Sequence, residues 1–168
     1  MALLDEELVE QWLNKQRFFT MRGIKLGLDE IDFLCVRYDS TAPVCWHVET
    51  QVSFRPMGYI GGDTNARRRS DEEVRAGVEQ WVSKKFTSER KRQKRNQLLP
   101  GADWQFVLVC AEVREESELA LMGELGVRVV RYREVLEDLI EGKGEHQSSS
   151  IAHNIVDILR YVRARAAE

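Results

Sequence analysis

The sequence predicts an α/β domain whose mixed central sheet is covered by helices on both sides, and three observations predict it. Strand-like runs near the start, RFFTMR, Ile31 to Tyr38 and Val44 to Phe54, follow one another with no helix between them, as in an antiparallel meander. Further on, WQFVLVC at residues 104–110 is a short unbroken apolar run of the kind buried on both faces of a sheet. Strand and helix patterns alternate around it, as crossover units require. The order α-β-β-β-α-β-α-β-α-α therefore sets parallel neighbours beside antiparallel ones in one sheet. At 168 residues and 43% hydrophobic composition the chain is most simply a single domain, residues 1–168, large enough for a real core.

Each element has a local reason. Asp5 is a good N-cap for a first helix that carries Leu4, Leu8, Val9, Trp12 and Leu13 on one apolar face and runs to about Lys15. Arg17 to Arg22 reads as a strand, and Gly23 to Gly27 as a flexible loop feeding the hairpin. Between the hairpin strands, Asp39-Ser-Thr-Ala-Pro43 has turn chemistry. Residues 55–70, with Pro56, Gly58, Gly61, Gly62 and Asn65, break any regular pattern and read as a long, mobile surface loop. Ser70 with Glu73 three residues on is a capping box, and opens a helix bearing Val74, Val78, Trp81, Val82 and Phe86. Its continuation, SKKFTSERKRQKRNQLL, is heavily basic and ends at Pro100-Gly101. After the buried strand, EESELALMGEL is a helix closed by Gly126, VRVVRY a strand, and REVLEDLIEG a helix ending at Gly142. KGEHQSSS is a polar linker, and residues 151–168 form a terminal helix docking through Ile151, Ile155, Ile158, Leu159 and Val162.

Composition excludes several classes. The acids of MALLDEELVEQWL stand where a signal peptide carries basic residues, and no apolar run approaches membrane-spanning length, so a soluble cytoplasmic protein with no membrane partner is expected. Cys35, Cys45 and Cys110 are odd in number, lack CxxC spacing and fall in strand-like runs, which reads as reduced core thiols. A net charge of −3 argues against a generally basic nucleic-acid-coating protein, though not against a local basic patch.

The chemistry concentrates in the hairpin, DEIDFLCVRYDSTAPVCWHVETQ. Alternation along its second strand puts Trp46, Val48, Thr50, Val52 and Phe54 toward the core and His47, Glu49, Gln51 and Ser53 on the opposite side. Asp32 sits among Ile31, Phe33 and Leu34, where a carboxylate is a poor choice for packing and needs a partner. On neighbouring strands, Asp32 and Glu49 project to the same side. With the carbonyl of Thr50 they offer the hard oxygen ligands that Mg²⁺ prefers. The bland alternative pairs Asp32 with Arg22 or Lys25 and Glu49 with a helix lysine.

Glu6 in the first helix, Asp32 within Glu-Ile-Asp-Phe and Glu49-Thr-Gln51 together resemble the PD-(D/E)XK nuclease superfamily, and are most similar to archaeal Holliday junction resolvases and YraN-like bacterial proteins. The resemblance covers about Asp5 to Val109. It implies a restriction-endonuclease-like fold, an α-β-β-β-α-β core with a C-terminal αβα extension. It also implies catalytic roles for Glu6, Asp32, Glu49 and Gln51, and Mg²⁺ or Mn²⁺ held by Asp32, Glu49 and Thr50. Where the family has Lys, this chain has Gln51, which cannot carry charge or act as a base. Lys25, or His47 on the face of Glu49, are the substitutes to consider.

Basic residues complete the reading. In a continuous helix Lys84, Lys91 and Arg95 form a narrow stripe flanked by Lys85, Arg90, Arg92 and Lys94, and Arg67, Arg68 and Arg69 cluster in the preceding loop. With Lys25 they make a path for phosphates, set against an acidic chain. The expected function is a metal-dependent DNA endonuclease-like protein hydrolysing phosphodiester bonds, with a homodimer left open as the assembly. The alternatives are a catalytically silent relative that binds nucleic acid or a partner protein, and an unrelated α/β interaction module.

Overall fold

The structure, a computed structural model, describes residues 2–39, 42–60, 62, 67–142 and 150–166. Its first helix, α1 (Ala2–Lys15), begins earlier than the sequence suggests. Asp5 lies inside it and accepts a hydrogen bond from the Tyr132 hydroxyl at 3.0 Å instead of capping it. At the other end Arg17 adopts φ +65, while its N–H donates to Asn14 O and that of Phe18 to Leu13 O. This is a Schellman closure with arginine where glycine is usual, and it uses up the residues expected to start the next strand.

Strands β1 (Phe19–Leu26), β2 (Asp29–Tyr38) and β3 (Pro43–Gln51) form the antiparallel meander. The predicted loop at Gly23 to Gly27 is mostly strand: Leu26 pairs with Asp29 across a two-residue turn that opens on Gly27 at φ +74. Helix α2 (Asp71–Val82) starts from Ser70 with both bonds of the capping box formed. The continuous basic helix is not continuous. A π turn at Ser83–Thr87 widens the backbone, Ser88 leaves helical geometry at ψ 145, and α3 (Glu89–Leu98) starts afresh.

β4 (Trp104–Cys110), α4 (Ser117–Glu124), β5 (Val127–Arg131), α5 (Tyr132–Glu141) and α6 (Ile151–Ala166) follow. The sheet has the order β1-β2-β3-β4-β5, with β4 parallel to β3 and β5 parallel to β4. Both faces are covered, giving a mixed α/β fold with two interior layers. Phe33, Cys35, Trp46, Val48, Val107 and Val109 pack under α1, α5 and α6. Leu108, Cys110 and Val127 pack under α2, the π turn and α4.

Two further expectations change. Tyr59 and Ile60, in the loop expected to be mobile and superficial, are buried in the second layer, and Ile60 N–H is held by the buried Glu118 carboxylate at 2.5 Å. Helix α6 docks through Ala152 and Val156 while Ile151, Ile158 and Val162 face outward. What anchors it is Arg160, which donates to the carbonyls of Leu139, Ile140 and Gly142 at the end of α5. The linker at 143–149, Ser40 and Thr41, and residues 63–66 lie outside the described residues. The three cysteines are free and buried, and no helix among the described residues is long and apolar enough to cross a membrane.

Candidate functional site

Strand alternation turns His47 and Glu49 away from Trp46 and Val48 and into the layer beneath the π turn and α3, where both are fully buried. A carboxylate there must be met by donors, and it is. Oε1 takes Lys91 Nζ at 2.6 Å and His47 Nε2 at 3.0 Å, and Oε2 takes Lys85 Nζ at 2.8 Å. On the far side of the imidazole, Arg95 Nη1 lies 2.8 Å from Nδ1 and donates to Phe86 O at 2.7 Å. Since a guanidinium only donates, Nδ1 must accept, so the ring proton sits on Nε2 and is given to Glu49. Phe86 and Phe106 close over the imidazole edge-on, at 5.0 and 6.0 Å.

The electrostatics follow. Burial pushes the Glu49 carboxyl up, but the bond from His47 and the charges of Lys85 and Lys91 override it and hold it below the usual carboxylate range. Burial, opposed by the Glu49 bond and assisted by Arg95 and Lys91, lowers His47 to about 4, so the imidazole is neutral. Lys85 loses charge stability to burial and regains more from Glu49 and then Asp32, ending above its ordinary value.

Asp32 sits where the sheet parts. The β2–β3 ladder ends at Phe33↔Val48, one residue short of setting Asp32 opposite Glu49. The β1–β2 ladder passes from Arg22↔Phe33 to Ile24↔Ile31, leaving Gly23, at φ +65, across from Asp32. The carboxylate instead accepts Thr50 N–H at 2.7 Å and the Thr50 hydroxyl at 2.9 Å, both on Oδ2. Its pKa is raised by burial first and by Glu49 second, against Thr50 and Lys85. Glu6, on α1, is raised by burial and then by Asp32, so three carboxylates feel this locus.

The chemistry of Asp32 suits a hard divalent cation, with one oxygen open to it. Asp32 Oδ1 accepts no hydrogen bond from the described residues, the donors are all oxygens, and Mg²⁺ is held by a few carboxylates with water. Among the described residues no group of three or more His, Cys, Asp and Glu is arranged to hold a metal. A cation on Glu49 Oε2 would also compete there with Lys85.

The structure sorts the remaining sequence candidates. Asp32 finds Thr50 rather than Arg22 or Lys25, which pair with Glu10 and Glu30. Glu49 does meet helix lysines. Gln51 is exposed at the end of β3, opposite Cys110 of β4. Lys84 is exposed, but Lys91 (2% exposed) and Arg95 reach inward to Glu49 and His47, because the π turn and the break at Ser88 reset the helix phase. They sit inside rather than on the expected surface stripe. Arg67 pairs with Glu73, Arg68 is exposed, and Arg69 lies over the Tyr59 ring at 5.7 Å. The residue whose place was missed is Lys85, expected only as a flank of the basic stripe. Seven residues after Val78, it continues the buried stripe Val74, Val78, Val82, so a cation stands where the helical pattern calls for a core side chain.

No protein-family model matches the chain, and no curated protein matches it. Among solved structures, the crystal structure of a protein of unknown function, AF1548, is similar at 15% identity and a TM-score of 0.48. The match covers 80% of this chain and 66% of that one, so this chain spans just under two thirds of that protein's length.

Proposed function

We propose that this chain is a metal-dependent phosphodiesterase of restriction-endonuclease-like fold acting on DNA. The observation that carries the reading is Lys85. Its ammonium reaches Glu49 Oε2 at 2.8 Å and shares charge with Asp32, so two carboxylates from adjacent strands gain the lysine that position 51 lacks. The order α1-β1-β2-β3-α2-α3-β4, with the helix after β3 split in two at the π turn and β4 parallel beside β3, supports the core that the resemblance implies.

Asp32, Glu49 and the Thr50 carbonyl would hold Mg²⁺ or Mn²⁺. When bound, the cation supplies neutralisation of the phosphoryl oxygens and an acidic water. Lys85 places a positive charge where the phosphoryl group gathers negative charge, and donates hydrogen bonds that orient phosphate or water. Exposed Gln51 can orient a water through its amide. His47, Lys91 and Arg95 touch no substrate position; they keep Glu49 ionised and fix its orientation.

The test is cleavage of duplex, single-stranded and branched DNA. Asp32→Asn and Lys85→Met should each lower Mg²⁺-dependent cleavage by about a hundredfold or more, the scale for losing a group that stabilises developing charge. Gln51→Lys introduced into Lys85→Met should restore part of the loss, because it returns the cation to the family's position. A wild type inert on all three substrates in Mg²⁺ and Mn²⁺ would remove this reading.

A second reading rests on one observation: Glu49 is fully buried with both oxygens already held by lysines, as expected if the chemistry is lost and the fold only binds. Calorimetric titration with Mn²⁺ separates the two. The hydrolytic protein takes up the ion and Asp32→Asn does not; the silent one shows no binding to lose.

A further inference from the structure

A groove of about 330 Å³ lies on the same sheet face as the carboxylates, lined by Phe19 and Met21 of β1, Leu34 and Tyr38 of β2, Leu98 of α3 and Trp104 of β4. The register fixes the shared face: Phe19 is opposite Val36, Met21 opposite Leu34, and Leu34 opposite His47. Side chains two residues apart point the same way, so Asp32, Leu34 and Tyr38 form one row. At about 3.3 Å per residue, the row extends from the Asp32 carboxylate for roughly 7 to 20 Å, the span of a few nucleotides.

Phe19 is 80% exposed and Tyr38 71%, with Met21 and Leu98 also open to solvent. Large apolar side chains grouped in this way mark a surface that something covers. The cations beside them indicate what. Arg90, Lys94 and Leu98 recur every four residues and share one face of α3, and Arg90 reaches the β1–β2 turn, with Nη1 3.8 Å from where a Cβ on Gly27 would stand. Neither Arg90 nor Lys94 has a carboxylate partner among the described residues. A second copy of the chain is a poor occupant. The open edge of β1 is interrupted by Gly23 at φ +65 and carries Arg22 and Lys25, devices that discourage edge-to-edge pairing.

We infer that the groove receives an unstacked base of a single DNA strand, its phosphates running along Arg90 and Lys94 toward the carboxylates. This rests on the phosphodiester reading of the neighbouring site. Aromatic faces accept any base by stacking, whereas a paired duplex keeps its base faces covered, so the groove selects unpaired DNA over duplex.

The experiment measures fluorescence anisotropy in EDTA with three fluorescein-labelled probes: an oligothymidylate, an oligomer of abasic sites of the same length and charge, and a duplex. The wild type should prefer the oligothymidylate to the abasic probe by about tenfold, and Phe19→Ala and Tyr38→Ala should each remove about that factor while leaving abasic binding unchanged. Both side chains are exposed, and an unchanged urea midpoint confirms that the variants fold. Equal binding of oligothymidylate and abasic probe, or variants that bind oligothymidylate like wild type, overturns the inference. If DNA is still cleaved in Mg²⁺ in that case, the groove alone is wrong. Base-dependent binding lost in the variants, from a protein that never cleaves, sustains the groove and removes the hydrolytic reading. A dimer in sedimentation that Phe19→Asp converts to monomer assigns the groove to a second copy, and also overturns it.

Discussion

On one face of β3, Trp46 packs against Phe18 and Trp12 with ring centroids 4.4 and 6.2 Å away, and Val48 is sealed beside them. One residue along, on the other face, His47 and Glu49 are just as buried and bind two ammonium groups and a guanidinium. Apolar packing tolerates approximate replacements of similar volume. A buried ionic layer does not, because deleting one member strands the others in a medium that cannot solvate them. Replacing such a layer wholesale with hydrophobic residues is often neutral or stabilising, so its presence here is better explained by what it positions, the Glu49 carboxylate, than by stability.

The largest expected effect breaks the polar layer. Glu49→Leu should destabilise by about 3–5 kcal/mol, because Lys91 and His47 lose their acceptor in the interior. Adding Lys91→Met should recover part of that loss. Simple additivity in urea denaturation would show that the two groups do not depend on each other. On the apolar face Phe33→Ala should cost a similar amount, about 3–5 kcal/mol, but with no dependence on pH.

Acid should sharpen the same contrast. His47 is lowered to about 4 when folded, so between its unfolded value near 6.5 and that point the unfolded chain binds a proton that the folded chain refuses. Stability should therefore fall as pH drops through this window, by about 1.4 kcal/mol per unit at most. Glu6 and Asp32, whose folded values are raised, slope the opposite way and offset part of it. In EDTA, the difference between wild type and His47→Gln at pH 7 and pH 5 isolates the histidine. Identical pH slopes would mean that the imidazole takes up its proton as readily in the folded protein as in the unfolded chain.

The smallest effects lie at the rim. Lys85, 31% exposed, should cost less as Lys85→Met than Glu49→Leu does, about 1–3 kcal/mol, because Glu49 Oε2 loses its donor while Oε1 keeps Lys91 and His47. Lys84→Ala, on the outside, should stay within about 0.5 kcal/mol. A Lys85 variant as unstable as Glu49→Leu would mean that Lys85 belongs to the buried framework rather than the working edge.

Much of this was legible beforehand. Ser70 and Glu73 announced α2, the apolar run at 104–110 announced a strand covered on both faces, and alternation in the hairpin put Asp32 and Glu49 on one side. What was not legible depends on helix phase. Ten residues of α3, ERKRQKRNQL, have no apolar stripe to say which side is inward, and the π turn that sets their orientation leaves no residue signature. A straight helix drawn through 71–98 therefore turns Lys91 and Arg95 outward. The end of α1 at Lys15 was legible, but the start of β1 was missed for a different reason: Arg17 takes a left-handed conformation that sequence would assign to glycine.

The strands lie in the sheet in the order in which they occur along the chain. During synthesis each can join the one before it, without waiting for a distant partner to close the sheet. Glu49 is the exception, because its lysine on α3 follows 42 residues later, about 2–8 s of translation at roughly 5–20 residues per second. Through most of that interval the nascent hairpin holds an acid destined for the interior with only the neutral His47 beside it, until the ribosome delivers first Lys85 and then Lys91.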